Sequence, residues 1–178
     1  MARGVGVEVA FPLFQAEGGG SIPTTPLDFT FGTVSRVTFV ALNRKWHSRL
    51  PKIAGGFGRV YHAAEYDGEY WAVSMWSNPV ARLLPQREWL ELRRFAIRDG
   101  APKNTASRML SWMVKDVKRR FPEVVRLISY QDTEAHKGTI YAASNWTPNN
   151  LIARRRRVWN HRGRKNRTDQ AVSARVRW

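Results

Sequence analysis

The chain has no cysteine. Disulfides, thiolate zinc sites and a cysteine nucleophile are thereby excluded, although the absence does not report the redox compartment. No apolar stretch approaches the ~18 residues of a membrane-spanning helix, and no basic amphipathic helix of the interfacial kind is visible, so no membrane partner is expected. The opening MARGVGVEVAFPLF is broken by Glu8 and Pro12 before a signal-peptide core can form, which makes the cytoplasm the expected compartment. Acidic residues are scarce as well: 14 Asp and Glu face 30 Lys and Arg, a formal net charge of +16. Such a field draws in polyanions and opposes compaction unless an anionic partner offsets it. Nucleic acid is the first partner to expect.

What is present suffices for one core, since the 178 residues are 43% hydrophobic and include 8 tryptophans. The charge is concentrated at one end. From Arg154 to Trp178 there are 10 Lys and Arg against 1 Asp, more than half of the net excess. This stretch shows no hydrophobic period and reads as an extended basic arm, 151–178, following a globular body, 1–150. Arg154, Arg155, Arg156, Arg157, Arg162, Arg164 and Lys165 are the candidate phosphate contacts. Trp159, His161 and Trp178 add flat surfaces that either stack on bases or fold back on the body.

The body reads as mixed α and β. RVYHAAEYDGEYWAVSMWS holds two strand-like runs around Asp67-Gly68, a dipeptide suited to a tight hairpin because both positions tolerate positive φ. EWLELRRFAI, 88–97, has apolar residues in both alternating sets and predicts a strand buried on both faces. Met109, Met113, Val117 and Phe121 then form an i, i+4 ladder, widened by Leu110 and Val114, and Pro122 stops the helix. EVVRLISY predicts another strand, HKGTIYAAS a shorter helix, and a last strand is expected around Trp146. The order argues for a central sheet with helices on its faces. Residues 1–45 carry no clear pattern.

Glu91, Arg93 and Arg94 interrupt a strand otherwise built for burial, and buried charges need partners or a job. Two readings stand: an ion pair from Glu91 to an arginine at the strand's end, or a guanidinium facing a bound anion. The turn that follows leads to a helix start near Asn104, Thr105 and Ser107, where open amides and the helix dipole suit an anion; a plain capping role for Asn104 or Thr105 is compatible with that.

LRRFAI…APKNTASRML followed by LISY…TIYAASNW resembles the acyl-CoA-binding half of the GNAT acyltransferases. The resemblance implies a GNAT-like α/β fold, with Leu92 to Ile97 as the strand beside the pantetheine arm, Lys103 to Ser107 as the pyrophosphate loop and Tyr141 facing the leaving thiol. Thr105 and Ser107 stand where that family usually has glycines. NRKWHSRLP, PKNTASRML and SYQDTEAHKGTIYAASNW are similar to the Mom family of bacteriophage DNA-modification proteins, a divergent GNAT-like branch. This narrower resemblance implies conversion of adenine in DNA to a carbamoylmethyl derivative at the exocyclic amine, as an anti-restriction device. His47, Asp132 and Tyr141 would then converge at the reactive centre, while Arg94, Lys103, Asn104, Thr105 and Ser107 serve acetyl-CoA or a related acyl-CoA. Imidazole, carboxylate and phenol form either an acid/base set or a ligand set for iron.

Trp46, beside His47, is a candidate wall of a base pocket, whereas Trp76 and Trp146 are read as core first. His136 is read as a capping or packing residue, and Glu134 as a surface acid. Two other classes of function remain: a GNAT acetyltransferase acting on a protein or small-molecule amine, and a basic DNA-binding module with an inactive acyltransferase fold. The oligomeric state is open, with a dimer among the alternatives.

Overall fold

The computed structural model describes residues 21–53, 58–133, 137–159 and 165–178. Two compact units divide the chain, Met1–Leu127 and Ile128–Trp178. The boundary expected at 150/151 therefore falls inside the second unit.

In the first unit four strands form an antiparallel meander: β1 (Thr30–Thr33), β2 (Val60–Tyr66), β3 (Glu69–Ser77) and β4 (Trp89–Ile97). The turn between β2 and β3 is the expected one, with Asp67 at φ 52° and Gly68 at φ 76°. Helix α1 (Arg36–Trp46) begins at Ser35, whose side chain accepts from the Thr38 amide at 3.0 Å. It packs on one face of the sheet, where Phe39 meets Ala63, Tyr70, Val73, Met75 and Ala96. Alternation of side chains sends the intervening residues to the other face. There Ser74 Oγ donates to Met113 Sδ at 2.8 Å and Trp76 Nε1 to the same sulfur at 3.4 Å, so α2 (Thr105–Arg120) covers that side. Trp76 is completely buried, which makes it a core residue. Both-face burial of β4 is as the sequence predicts, with Leu90, Glu91 and Leu92 all buried.

The α2 ladder of Met109, Met113 and Val117 is buried, but the same side of the helix also carries Asp116. Its carboxylate meets His62 Nε2 of β2 at 3.0 Å, Arg119 at 2.6 Å and Arg120 at 2.6 Å. Burial works against this charge, yet the bonds from His62, Arg119 and Arg120 outweigh it and hold the Asp116 pKa well below the carboxylate range. His62 is shifted down by its own burial, which Asp116 only partly opposes. A neutral imidazole is consistent with the geometry: Nε2–H donates to Asp116, and Nδ1 is buried with no partner, where a second N–H would be stranded. Trp112 closes the site with its ring edge-on to His62, centroids 5.3 Å apart.

The second unit holds most of β5 (Arg126–Asp132), the single turn α3 (Thr139–Ala142), and the strands β6 (Asn150–Trp159) and β7 (Lys165–Arg177). β7 pairs antiparallel with both β5 and β6. The expected extended arm is thus a hairpin over its described residues. Its register sets Leu151 opposite Val176 and Ala153 opposite Ala174, a period-2 pattern hidden among the arginines. The strand expected around Trp146 is irregular backbone: Asn145, at φ 59°, ends α3 with the Trp146 amide donating to the Tyr141 carbonyl at 3.0 Å, and Pro148 has no amide to donate. No helix among the described residues is long and apolar enough to cross a membrane.

Replacing Asp116 with alanine leaves the buried His62 Nε2–H without its acceptor and is expected to lower the unfolding free energy by about 1–3 kcal/mol in a urea titration. The same cluster sets a pH dependence. Below the ordinary histidine value of 6.5, the unfolded chain binds a proton that buried His62 refuses, so stability falls as pH drops from there. A second fall, from Asp116, begins below the ordinary 3.8. His62→Gln should remove the first fall and keep the second; an unaltered profile would contradict the assignment.

Candidate functional site

In the first unit, the sequence-derived anion loop takes shape at the start of α2. Asn104 occupies the left-handed region, φ 67°, and its side chain does not cap the helix. Asparagine is among the few non-glycine residues that tolerate this conformation, so one asparagine makes the turn for which glycine is the usual residue. The two hydroxyls turn back on the loop: Thr105 Oγ1 donates to the Pro102 carbonyl at 2.7 Å and Ser107 Oγ to the Asn104 carbonyl at 3.1 Å. They stiffen the turn, in which the Thr105 amide also donates to the Pro102 carbonyl at 3.3 Å, and the helix dipole leaves a partial positive charge at this end that suits an anion. The first turn contains no acidic residue, and Lys103 and Asn104 are exposed.

Arg94 lies on β4 where the pairing slips. Met75 pairs with Arg94 and Trp76 with Leu92, so Arg93 is an extra residue, a bulge that bends the strand and re-aims its side chains. Arg94 Nη1 donates to the Arg93 carbonyl at 2.7 Å, but its Nε is buried without a partner. Burial first, and the Arg93 charge second, hold the Arg94 pKa below that of an ordinary guanidinium, with Glu91 pulling the other way. An anion beside it would relieve all of this. The Glu91 carboxylate accepts from the Val80 amide at 2.9 Å.

His47 caps the C-terminus of α1. Its Nδ1 accepts from the Leu50 amide at 3.2 Å, and an amide can only donate. A neutral ring in this arrangement carries its proton on Nε2. Trp46 packs partly against the core cluster around Phe39.

In the second unit Tyr141 is buried on α3, with its hydroxyl 2.7 Å from Ser129 Oγ. Its ring stacks on Trp178, centroids 5.4 Å apart and planes 19° apart, and meets Trp146 at 5.7 Å and 54°. Trp178 thus folds back on the body. Burial raises the Tyr141 pKa, and the Ser129 bond acts in the opposite direction. The phenol is accordingly a protonated group at neutral pH. Asp132 ends β5, half-buried, in the same unit.

The structure therefore brings together Lys103, Asn104, Thr105 and Ser107 in one loop, with His47 elsewhere in the first unit and Asp132 and Tyr141 in the second. Among the described residues no group of three or more His, Asp or Glu side chains is arranged to hold a metal ion, so iron ligation by His47, Asp132 and Tyr141 gains no support. Arg162, Arg164, Glu134 and His136 lie outside the described residues, and of Arg154 to Arg157 and Lys165 only the backbone is described. Sequence reasoning missed Asp116 and His62, although an acid three residues after Met113 on a helix's apolar side is a visible signal. It also missed Ser129, which only the fold brings to Tyr141.

The fold is that of the GNAT N-acetyltransferases. The Escherichia coli ribosomal-protein-S18-alanine N-acetyltransferase is similar at a TM-score of 0.56 with 11% identity, over 84% of this chain and 90% of that one. A Bacillus subtilis acetyltransferase in complex with CoA is similar at 0.53 with 12% identity, over 84% and 94%. The Vibrio cholerae spermidine N-acetyltransferase, in complex with CoA and spermine, gives 0.51 with 10% identity, over 85% and 94%. Within that fold the chain belongs to the Mom protein family, whose model matches residues 70–176. Arg94, the 103–107 loop, Asp132 and Tyr141 lie inside the matched stretch, and His47 lies before it. No curated protein matches the chain. Family and fold together class it as a transferase.

Gly138, just before α3, tests the packing around Tyr141. It sits at φ 74°, and an added Cβ would lie 2.7 Å from the Trp178 ring and clash with the Gln131 side chain. Gly138→Ala is expected to cost about 1–3 kcal/mol of stability, read from thermal or urea unfolding; a neutral result would mean that the close approach is not maintained.

Proposed function

We propose that the protein is a DNA-modifying transferase that converts adenine in DNA to a carbamoylmethyl or related acyl-derived adenine, protecting phage DNA from host restriction. Membership of the Mom family is the observation that carries this reading. Acyl-CoA is the cofactor class that the loop suits, through the dipole at the start of α2, Lys103, the lack of any first-turn acid, and the unpartnered Arg94 Nε. When bound, it supplies an activated acyl carbon and a thiol leaving group.

The roles of the chain's own residues follow from their protonation. His47, with its proton on Nε2, donates a hydrogen bond to an oxygen that gains charge during the reaction. Asp132 would accept the proton that the exocyclic amine gives up as its nitrogen bonds to the acyl carbon, a step that yields an N-acyl adenine; a carbamoylmethyl product carries its methylene on that nitrogen and requires a nitrogen-containing co-substrate besides the acyl group. Tyr141, kept protonated by burial, would donate to the leaving thiolate. Taking a base out of a duplex costs a few kcal/mol. Phosphate contacts from the basic C-terminal stretch, Arg154 to Arg157, Arg162, Arg164 and Lys165, supply binding free energy against that cost.

Mass spectrometry of nucleosides from plasmid DNA of expressing cells tests the reading. The wild-type chain should yield a modified adenine, and His47→Ala and Asp132→Ala should each lower its yield by about 100-fold or more. Unmodified nucleosides from cells with ample soluble protein would contradict it. Acetyl-CoA turnover with a peptide or polyamine and none with DNA would select an ordinary acetyltransferase instead, and tight DNA binding with no CoA affinity an inactive module.

A further inference from the structure

Tyr141 belongs to a helix of only four residues, too short to hold a side chain rigidly by itself. Its position is set by neighbours. The phenolic oxygen lies 2.7 Å from Ser129 Oγ, and both residues are buried. The ring stacks on the Trp178 indole at 5.4 Å, nearly parallel. That indole is pinned in turn, since its Nε1 donates to Gln131 Oε1 at 2.7 Å and its backbone exchanges two hydrogen bonds with Ser129, at 3.0 and 3.1 Å. Gly138 supplies the room for it, because any larger residue there would meet the Trp178 ring. One residue, Ser129, thus touches the phenol through its hydroxyl and the backbone of Trp178 through its main chain.

We propose that Ser129 and Trp178 are positioning residues for Tyr141: the serine hydroxyl directs the phenolic O–H, and the indole sets the ring's plane and keeps water from it. The inference rests on the reading of Tyr141 as a proton donor and adds what aims that donor and keeps it loaded. The two neighbours act on the phenol in opposite senses. Exclusion of water disfavours the phenolate and pushes the Tyr141 pKa up, whereas the Ser129 hydroxyl stabilises the phenolate and pulls it down. Removing the indole therefore lowers the titration midpoint, and removing the hydroxyl raises it. A residue that merely supported the fold would give no such opposed pair.

The experiment titrates the full-length chain labelled with 13Cζ-tyrosine, with the Tyr141 signal assigned from Tyr141→Phe, and measures modified adenine formed by the same variants. Trp178→Ala should titrate below wild type, Ser129→Ala above it, and Trp178→Phe close to it. Both alanine variants should slow modification at saturating DNA by about tenfold or more with little change in the DNA concentration needed for half-saturation, and Trp178→Phe should restore most of the rate. Ser129→Ala removes a single oxygen, and it carries the test if Trp178→Ala does not fold. Midpoints that move together or not at all would overturn the proposal, as would wild-type rates in Ser129→Ala. If the wild-type chain forms no modified adenine, the proposed function fails, and the titration alone decides whether these residues position Tyr141.

Discussion

The Asp116 carboxylate decides where α2 can lie. Buried without partners it would cost several kcal/mol, so the helix docks only at the rotation and height that bring His62 of β2 beneath it while Arg119 and Arg120 reach round from the next turn. Dispersion and hydrophobic burial at Met109, Met113 and Val117 favour docking but tolerate sliding; a hydrogen-bonded charge does not. His62, kept neutral by burial, contributes a donor without adding a second buried charge.

Fixing the C-terminal half of a 16-residue helix also fixes its start. That start matters for the proposed function, because the helix dipole places a partial positive charge there for an anion. The structure achieves with Asn104 what a glycine-rich loop achieves by backbone freedom, and it commits the neighbouring hydroxyls to holding the loop's shape. The bulge at Arg93 and the buried, unpartnered Nε of Arg94 add a second demand for negative charge within the same unit. In the second unit the logic is that of desolvation: Tyr141 is enclosed by Trp146, Trp178 and Ser129, which keeps the phenol protonated and oriented.

Legibility of the sequence followed the strength of local signals. The Asp67-Gly68 hairpin, β4 and the α2 ladder stood out because each rests on a period or on a dipeptide with a defined backbone preference. Helix α1 did not, since Val37, Thr38 and Val40 are β-branched and mask a helix whose clearest marker is the single cap Ser35. The basic hairpin was read as an unpaired arm because arginines dominate its composition, although Val172, Ala174 and Val176 alternate with polar residues. For the site, residue types were legible but proton positions were not. Nothing in NRKWHSRLP says that the Leu50 amide will donate to His47 Nδ1. Ser129 and Trp178 are 12 and 37 residues from Tyr141 in sequence, and only strand pairing brings them to it.

The measurement that bears most directly on this account is a CoA titration followed by the backbone amide signals of the intact protein. The account predicts saturable shifts concentrated at Thr105, Ala106 and Ser107, with the Arg94 side-chain Nε–H moving at the same CoA concentrations. Saturation without any change at the start of α2, or no binding at millimolar CoA, would contradict it.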